Sequence, residues 1–461
     1  MSRAVLVGLL WLGALAVSGC GGYASTSEAF RKSLTAGRPD TALMAVNKAM
    51  EVKETKDVPA SGADATLLLL ERATILQAMG QYEASSRDYQ LADKDLEVID
   101  YTSDTAGDIG KYLYSDDAQQ YRAPPHEKLL VNTMNLINYL VRGDLQGAKV
   151  EARRFLVNQK YFEDSEDSAI RKRAMVGLSS YLAGVAFEAA GDGQEAMRFY
   201  GDCLEAGGAP TLDDAVRRLA ARTGADDARL KEMIGDPPTL PTLPEDDAQR
   251  GELLVIVQSG MSPYRYAERL PIGAAVVAAS SPGPGARLSS EDQRQANVFA
   301  AKGIVKWVNF SRIKKSSKSA AASVDVSIEG QGSLNGGVGL DVEARVIEVF
   351  AAVEGGLIAA AIIRLITRAV AGEITNAVVN KASGSGGLGL LAGLVLEGAM
   401  TAADTPDTRS WVTLPGRYHL SRARLTAGQH TVRVRLGAVV RSAPVEIRPG
   451  GFVVLNFSDL R

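Results

Sequence analysis

The chain has 461 residues, with 51 Lys and Arg against 54 Asp and Glu, 46% hydrophobic residues and 6% aromatic residues. This length predicts more than one domain, and the composition excludes global disorder. The net charge of −3 argues against nucleic acid as a partner, because binding it requires an excess of basic residues. Two cysteines and three histidines are too few for a disulfide framework or a cysteine-rich metal site, so we expect no metal and no cofactor.

The first residues predict a lipoprotein signal peptide over residues 1–19. Arg3 precedes an apolar run from Ala4 to Val17, which is too short to span a bilayer as a mature helix. Small residues lead directly into Cys20, a pattern that resembles the bacterial lipobox, in which the cysteine becomes the acylated first residue. Cys20 is followed by Gly21 rather than by an aspartate, which resembles lipoproteins that are sorted to the outer membrane. We expect a lipid anchor at Cys20 in the outer membrane, facing the periplasm, with a plain secretory signal as the alternative.

Residues 20–235 predict a helical-repeat domain, because helix-forming residues dominate and no alternation is sustained. Four glycines are each followed by a small residue five positions later and by inward-facing positions nine and twelve residues later: Gly37, Gly80, Gly143 and Gly191. This pattern looks like the paired helices of tetratricopeptide repeats, although the glycines are 43, 63 and 48 residues apart. We therefore expect a degenerate tetratricopeptide-like solenoid with a concave protein-binding surface, or otherwise an irregular helical bundle.

The interval between Gly80 and Gly143 is longer than the other two, and its additional residues lie between Asp100 and Pro125, in a loop rich in tyrosine and aspartate. Long loops in helical arrays are often functional, and tyrosines among small polar residues are typical of adaptable binding surfaces. The alternative is an acidic loop that packs on the solenoid. The candidate binding residues of this loop are Tyr101, Tyr112, Tyr114 and Tyr121.

A further group of candidate binding residues lies downstream, on the second helix of a repeat. This group consists of Glu151, Arg153 and Arg154. Because Glu151 and Arg154 are one helical turn apart, a structural ion pair between them is the favoured interpretation.

Residues 236–250 form a proline-rich linker, and residues 251–410 predict a mixed domain. Its predicted strands are Leu253–Gln258, Tyr264–Ile272, Ile304–Phe310 and Val324–Ile328. A helical hairpin over 341–403 interrupts them, with the amphipathic segment Leu357–Val370 and the apolar run Leu388–Met400 as its two arms. We expect this hairpin to pack on the domain's own sheet, the alternative being a lipid surface.

Residues 411–461 predict a β module that packs with the preceding domain. Its predicted strands are Tyr418–Leu425, His430–Leu436 and Phe452–Phe457. Short strands with Gly and Pro turns resemble the transthyretin-like sandwich modules of envelope proteins, and Trp411 is expected to plug the sandwich edge. The predicted fold class is α+β and multidomain, with an all-α solenoid followed by a β-sandwich-like domain that carries an inserted helical hairpin.

Motifs for catalysis and cofactor binding are missing from the sequence, which contains no His-Glu-x-x-His, no Cys-x-x-Cys and no Gly-x-Ser-x-Gly. Gly384, Gly386 and Gly389 match a dinucleotide-binding spacing, but a predicted helix precedes them where a strand is required. We therefore expect a non-enzymatic protein. The alternative is a wall-active hydrolase that uses a dispersed pair of carboxylates.

Much of the mature chain resembles a family of uncharacterised bacterial lipoproteins with a helical-repeat half and a β-rich half. The stretches that carry this resemblance are Tyr121–Glu127, Gly143–Arg154, Gly251–Tyr264 and Ala403–Pro415. These stretches supply the remaining candidate binding residues, Glu127, Asp407, Arg409 and Trp411. The resemblance implies architecture and compartment, and carries no activity. Some members are encoded near lipoprotein activators of peptidoglycan synthases, which implies an envelope-biogenesis setting.

The expected function is that of a protein-binding scaffold or regulator in cell-envelope biogenesis. The expected partners are envelope proteins, with a peptidoglycan synthase or its activator as one class, and the membrane through the acyl chains. A purely structural or lipid-contacting envelope protein is a further alternative.

Overall fold

The computed structural model describes residues 23–102, 121–163, 176–235, 241–280, 287–301, 306–316, 320–383 and 406–461. These residues form a mixed α+β protein, with helices in the first half and sheets in the second. The helices of the first half are α1 (Tyr23–Thr35), α2 (Pro39–Ala49), α3 (Ala65–Ala78), α4 (Tyr82–Thr102), α5 (Pro125–Val141), α6 (Leu145–Glu163), α7 (Gly177–Ala189), α8 (Gly193–Glu205), α9 (Leu212–Thr223) and the short α10 (Lys231–Ile234).

Glycine turns join the first eight of these helices in pairs. Gly37, Gly80, Gly143 and Gly191 have φ values of 72°, 76°, 71° and 82°, which lie in the left-handed region that glycine enters without strain. Each of the four therefore separates two helices, as the sequence pattern predicts. The resulting pairs are α1–α2, α3–α4, α5–α6 and α7–α8.

The second half contains ten strands within the described residues, together with three helices. The strands are β1 (Arg250–Met261), β2 (Tyr264–Pro271), β3 (Trp307–Lys314), β4 (Asp325–Ile328), β5 (Gly332–Ser333), β6 (Gly336–Asp341), β7 (Pro415–Thr426), β8 (Gly428–Leu436), β9 (Val439–Ile447) and β10 (Phe452–Asp459). The helices are α11 (Ile272–Ala279), α12 (Ser290–Ala301) and α13 (Val342–Ser383). The predicted strands all lie within or overlap observed ones, whereas β5, β6, β9, α11 and α12 have no counterpart in the sequence-based expectations.

β1 is the central strand of the second half. The sheet order is β10-β1-β7-β6, with β1 parallel to β10 and antiparallel to β7. The predicted division between residues 251–410 and 411–461 therefore passes through a single sheet. Part of the predicted linker is packed as well, because Asp247 forms an ion pair with Arg424 of β7 at 2.6 Å.

This sheet lies between the helices and a second sheet, in which the strand order is β5-β4-β8-β9. Leu254 and Ile256 of β1 join the core that contains the helices of the first half. Leu253, Val255 and Val257 point to the opposite face and pack with strands of the second sheet. A strand that is buried on both faces is apolar throughout, which explains the run Leu253–Val257.

The inner face of the helical half is covered by the chain's own sheet. Most residues of α3, α5 and α7 are buried, because each of these helices packs against its partner helix on one side and against other parts of the chain on the other. Tyr418 of β7 donates its hydroxyl to the sulfur of Met134 in α5, and Gln258 of β1 donates to Gln77 in α3. The expectation of an open concave docking surface is therefore wrong.

A third cluster combines the antiparallel strands β2 and β3 with α11, α12 and α13. Ile358, Ile362 and Leu365 of α13 belong to its core, so the first arm of the predicted hairpin packs on protein. The second arm, Leu388–Met400, lies outside the described residues. Within the described part of the chain no single helix passes as a membrane span, although two segments of α13 that are bent by 48° do so as a pair by length and composition.

Candidate functional site

Several predicted site residues meet where residues 406–413, here called the crossing segment, run over the helical half. Ala24 of α1 donates its backbone N–H to the hydroxyl of Thr408 at 3.2 Å. The indole of Trp411 donates to Thr74 of α3 at 2.9 Å. The backbone N–H of Trp411 donates to Glu127 of α5 at 3.4 Å. The crossing segment therefore joins three helices of the first half to strand β7.

Glu71 of α3 holds the end of the crossing segment. Its carboxyl accepts hydrogen bonds at 2.8 Å from the backbone N–H groups of Val412 and Thr413 and from the hydroxyl of Tyr23. Burial raises the pKa of this carboxyl to about 7, because the charged form loses its hydration. Sequence reasoning missed Glu71, since a lone glutamate in the apolar helix α3 carries no motif.

Glu127 plays a similar part on α5. It accepts a hydrogen bond from the hydroxyl of Tyr121, and burial raises the pKa of its carboxyl to about 7. Tyr121 is itself buried, and its backbone N–H donates to the carbonyl of Ala63 at 3.0 Å. The structure thus brings together two residues that were predicted only as separate candidates for binding, and it buries both inside the protein.

Asp407 and Arg409 form a bidentate ion pair within the crossing segment. The guanidinium of Arg409 donates to the two carboxylate oxygens of Asp407 at 2.9 and 2.7 Å, and its side chain is only 10% exposed. Trp411 was expected to plug the edge of a sandwich, and this expectation is wrong. The indole is buried among helices instead, with its ring centroid 5.9 Å from that of Tyr89 in α4.

The predicted ion pair between Glu151 and Arg154 is also wrong. Glu151 is buried and accepts hydrogen bonds from Asn132 at 3.1 Å and Asn135 at 2.9 Å. Burial raises the pKa of its carboxyl to about 7. Arg154 forms ion pairs with residues of α4, namely Asp93 at 2.9 Å and Glu97 at 2.8 Å. The helical spacing was correct, but partners on neighbouring helices competed for both side chains.

Arg153 is the predicted site residue that faces solvent. It lies on the outer face of α6, between two exposed valines that are seven residues apart, Val150 (51% exposed) and Val157 (67% exposed). Residues separated by seven positions share one face of a helix. The guanidinium of Arg153 lies 5.4 Å from the ring centroid of Phe187 in α7. We call Val150, Arg153 and Val157 the α6 stripe.

The remaining predicted residues fall outside what the structure describes. Cys20, Tyr112 and Tyr114 lie outside the described residues. Tyr101 belongs to the last turn of α4, and its side chain is likewise outside the described part.

A second buried cluster joins β7 to the helices, and sequence reasoning missed it. The side chain of Arg422 is 0% exposed and donates to Glu188 at 2.8 Å, to Glu252 at 2.9 Å and to the hydroxyl of Tyr200 at 3.2 Å. Although burial alone would raise the pKa of Glu252, Arg422 and Arg218 hold that pKa below its usual value. The cluster is a paired, structural arrangement of charges.

Within the described residues there is little space for a substrate beside the carboxyls of Glu71 and Glu127. The cleft next to Glu127 has a volume of about 20 Å³, enough for roughly one water. A glycosidase pair must flank its substrate, whereas the side chain of Glu71 is enclosed by protein. No group of three or more His, Cys, Asp or Glu side chains in the described ranges is arranged to hold a metal ion.

A scan of protein-family models finds no match to the chain, and a search of curated proteins finds none either.

Proposed function

We propose that the protein is an acylated lipoprotein of the outer membrane, facing the periplasm, that binds another envelope protein as a scaffold or regulator of envelope biogenesis. The observation that carries this proposal is the α6 stripe, an exposed apolar pair with a cation between its members. Arginine is enriched at protein interfaces, and a partner that covers exposed apolar side chains removes their surface from water.

The docking surface belongs on the outer helices because the inner face is filled. In a tetratricopeptide-like array a peptide would bind on the concave side, and here β1 and β7 occupy that side. We propose that the helix pairs are tetratricopeptide-like, and that the two four-stranded sheets form a sandwich-like unit. In this arrangement the sheet stabilises the array from within, and α6 presents the stripe to a partner.

The partner class that we propose is an envelope protein with an acidic and apolar surface, and a peptidoglycan synthase or its activator is the first to test. Arg153 supplies charge complementarity, and Lys160 lies exposed nearby on the same helix. A partner that covers Val150 and Val157 removes two exposed apolar side chains from water.

The test is in-cell crosslinking of the full lipidated protein, comparing the wild type with a variant that carries Val150→Asp and Val157→Asp. Both side chains are exposed, so the melting temperature should stay unchanged, while crosslinking to the partner should fall about tenfold. Met44→Asp on α2 is the matched control, since that side chain is 73% exposed. Equal capture by the wild type and the double variant would contradict the role of the α6 stripe.

The tyrosine loop is tested separately, because Tyr121 must stay in place. Its side chain is buried against Glu127, so a deletion that includes it should lower stability for structural reasons. Replacing residues 103–120 with a flexible Gly-Ser linker keeps Tyr121 and Glu127 in the chain and removes the remaining loop. Loss of partner capture at unchanged melting temperature would support the loop as part of the binding site, and full capture would remove it.

The anchor is tested by Cys20→Ser. We expect this variant to leave the membrane fraction and appear in the soluble periplasmic fraction, because the acyl chains supply the attachment. Full retention in the membrane fraction would contradict acylation as the main anchor.

A further inference from the structure

The surface of α11 is unusual for a solvent-facing helix. Its inner face packs Ile272, Ala275 and Ala279 into the core of the third cluster. Its outer face exposes Gly273, Ala274 and Val277, and the side chain of Val277 is 74% exposed. The sequence of α11, IGAAVVAA, contains no polar side chain. A helix on the surface of a soluble protein normally carries charged or polar residues on this face.

Trp307 extends this apolar surface. It pairs with Pro271, the last residue of β2, directly before α11 begins, and its side chain is 46% exposed. The N–H of Ile272 donates to the carbonyl of Lys306 at 3.0 Å, which fixes the start of α11 beside Trp307. We call Gly273, Ala274, Val277 and Trp307 the α11 surface.

The segment of the chain that contains α11 has a net charge opposite in sign to that of the rest of the chain. Between residues 264 and 320 the sequence contains ten Lys and Arg against three Asp and Glu, a net charge of +7. The remaining residues contain 41 Lys and Arg against 51 Asp and Glu, a net charge of −10. The exposed Lys306 directly precedes β3 and lies beside the start of α11, where its carbonyl accepts from the N–H of Ile272.

We propose that the α11 surface binds an anionic phospholipid membrane. An uncharged helix face can enter the boundary between headgroups and acyl chains, where tryptophan is favoured. Lys306 beside it, and the excess of lysine and arginine over residues 264–320, would attract anionic headgroups. Gly273, Ala274 and Val277 offer no polar side-chain group for directional recognition of a protein, and this favours a lipid surface. The contact would hold the third cluster against the bilayer independently of the α6 stripe and of acylation at Cys20.

The test is vesicle flotation of the full mature chain carrying Cys20→Ser, which removes the predicted acyl chains. The vesicles contain phosphatidylglycerol with phosphatidylcholine, or phosphatidylcholine alone, and each is tested at low and high salt. We expect the protein to float with the anionic vesicles at low salt, and Val277→Asp to weaken binding about tenfold. The matched control is Met44→Asp on α2, where a similarly exposed apolar side chain (73%) should be replaceable without effect.

Tryptophan fluorescence provides a second readout. After removal of the predicted signal peptide the chain keeps two tryptophans, Trp307 and the buried Trp411. A blue shift on addition of anionic vesicles, which disappears in Trp307→Phe, would place Trp307 in lipid. The proposal is overturned if neither vesicle floats the protein. It is also overturned if flotation is equal for Val277→Asp and the wild type, since binding would then be electrostatic without α11.

Discussion

The indole of Trp411 donates to the hydroxyl of Thr74 at 2.9 Å, across 337 residues of sequence. The same oxygen lies 3.0 Å from the hydroxyl of Tyr89, while Thr74 donates its own proton to the carbonyl of Leu70 at 2.9 Å. Every polar atom of this buried contact therefore has a partner. The crossing segment is a part of the core of the helical half, so the two halves of the chain should unfold together.

Replacing Trp411 should destabilise the whole protein. We expect Trp411→Ala to lower the free energy of unfolding by about 3–5 kcal/mol, because it leaves a large cavity and removes the hydrogen bond from the indole to Thr74. Trp411→Phe keeps an aromatic ring and should cost about 1–2 kcal/mol. The measurement is urea denaturation followed by circular dichroism. Trp307→Phe, at an exposed site, is the control. Two separate transitions in the wild-type protein would contradict the coupling of the two halves.

The buried carboxyls predict that stability falls as pH rises. The pKa values of Glu71 and Glu127 in the folded protein are about 7, raised from 4.5 by burial. The folded protein therefore keeps protons that the unfolded chain has lost, so this stability is complete below about pH 4.5 and disappears towards pH 7. The loss should be on the order of 1 kcal/mol per pH unit for each carboxyl.

Glu71→Gln isolates the contribution of one carboxyl. The amide is neutral at every pH and has nearly the same shape, so the variant should lose Glu71's share of the pH dependence between pH 4.5 and 7. Urea denaturation at several pH values measures it. Glu83→Gln is the control, because the side chain of Glu83 is 84% exposed. An identical slope in Glu71→Gln and the wild type would show that Glu71 does not hold this proton.

The local signals in the sequence predicted the elements better than the site. The glycines at the helix turns and the apolar run of β1 have local causes, a left-handed backbone and burial on both faces, and both were predicted correctly. α11 and α12 were not predicted. The eight residues of α11 are uniformly apolar and lack the helical periodicity that identifies a longer segment.

The predicted site residues show the limit of reasoning by spacing along the chain. Tyr121, Glu127 and Trp411 do come together, but no pattern within a few residues of them reveals that they are buried. Glu151 and Arg154 have the right spacing for an ion pair, yet Asn132 and Asp93 on other helices provide their partners. Contacts of this kind depend on which helices and strands become neighbours, and that is set by tertiary packing.

Removing one charged member of the buried cluster around Arg422 should lower the free energy of unfolding more than removing an exposed ion pair does. Arg422→Met removes the buried cation that Glu188 and Glu252 share, and should cost up to about 3–5 kcal/mol of unfolding free energy, with Arg222 still paired to Glu188 at 2.5 Å. Arg422→Lys keeps the charge but cannot reach three partners with a planar fork, so it should recover only part of this loss. Denaturation by urea measures both.

The control for Arg422 is Arg433→Ala, which removes an ion pair with Glu329 in which both side chains are about half exposed. Such pairs contribute little, about 0–1 kcal/mol. If Arg422→Met were no more destabilising than Arg433→Ala, the buried cluster would not contribute to stability as described.

Gly184 and Gly273 should respond in opposite directions to the same substitution. A Cβ at Gly184 in α7 would lie 2.5 Å from Cε1 of Tyr200, whereas a Cβ at Gly273 in α11 would meet nothing within 4 Å. The ring of Tyr200 cannot move aside freely, because its hydroxyl donates to Glu188 at 2.6 Å.

We therefore expect Gly184→Ala to destabilise the protein by about 1–3 kcal/mol through overpacking. Gly273→Ala should stabilise it by about 0.5–1 kcal/mol, because alanine loses less backbone entropy in a helix. Thermal and urea denaturation of the two variants measure the difference. Destabilisation by both would contradict the open outer face of α11, and stabilisation by both would contradict the close contact between α7 and the ring of Tyr200.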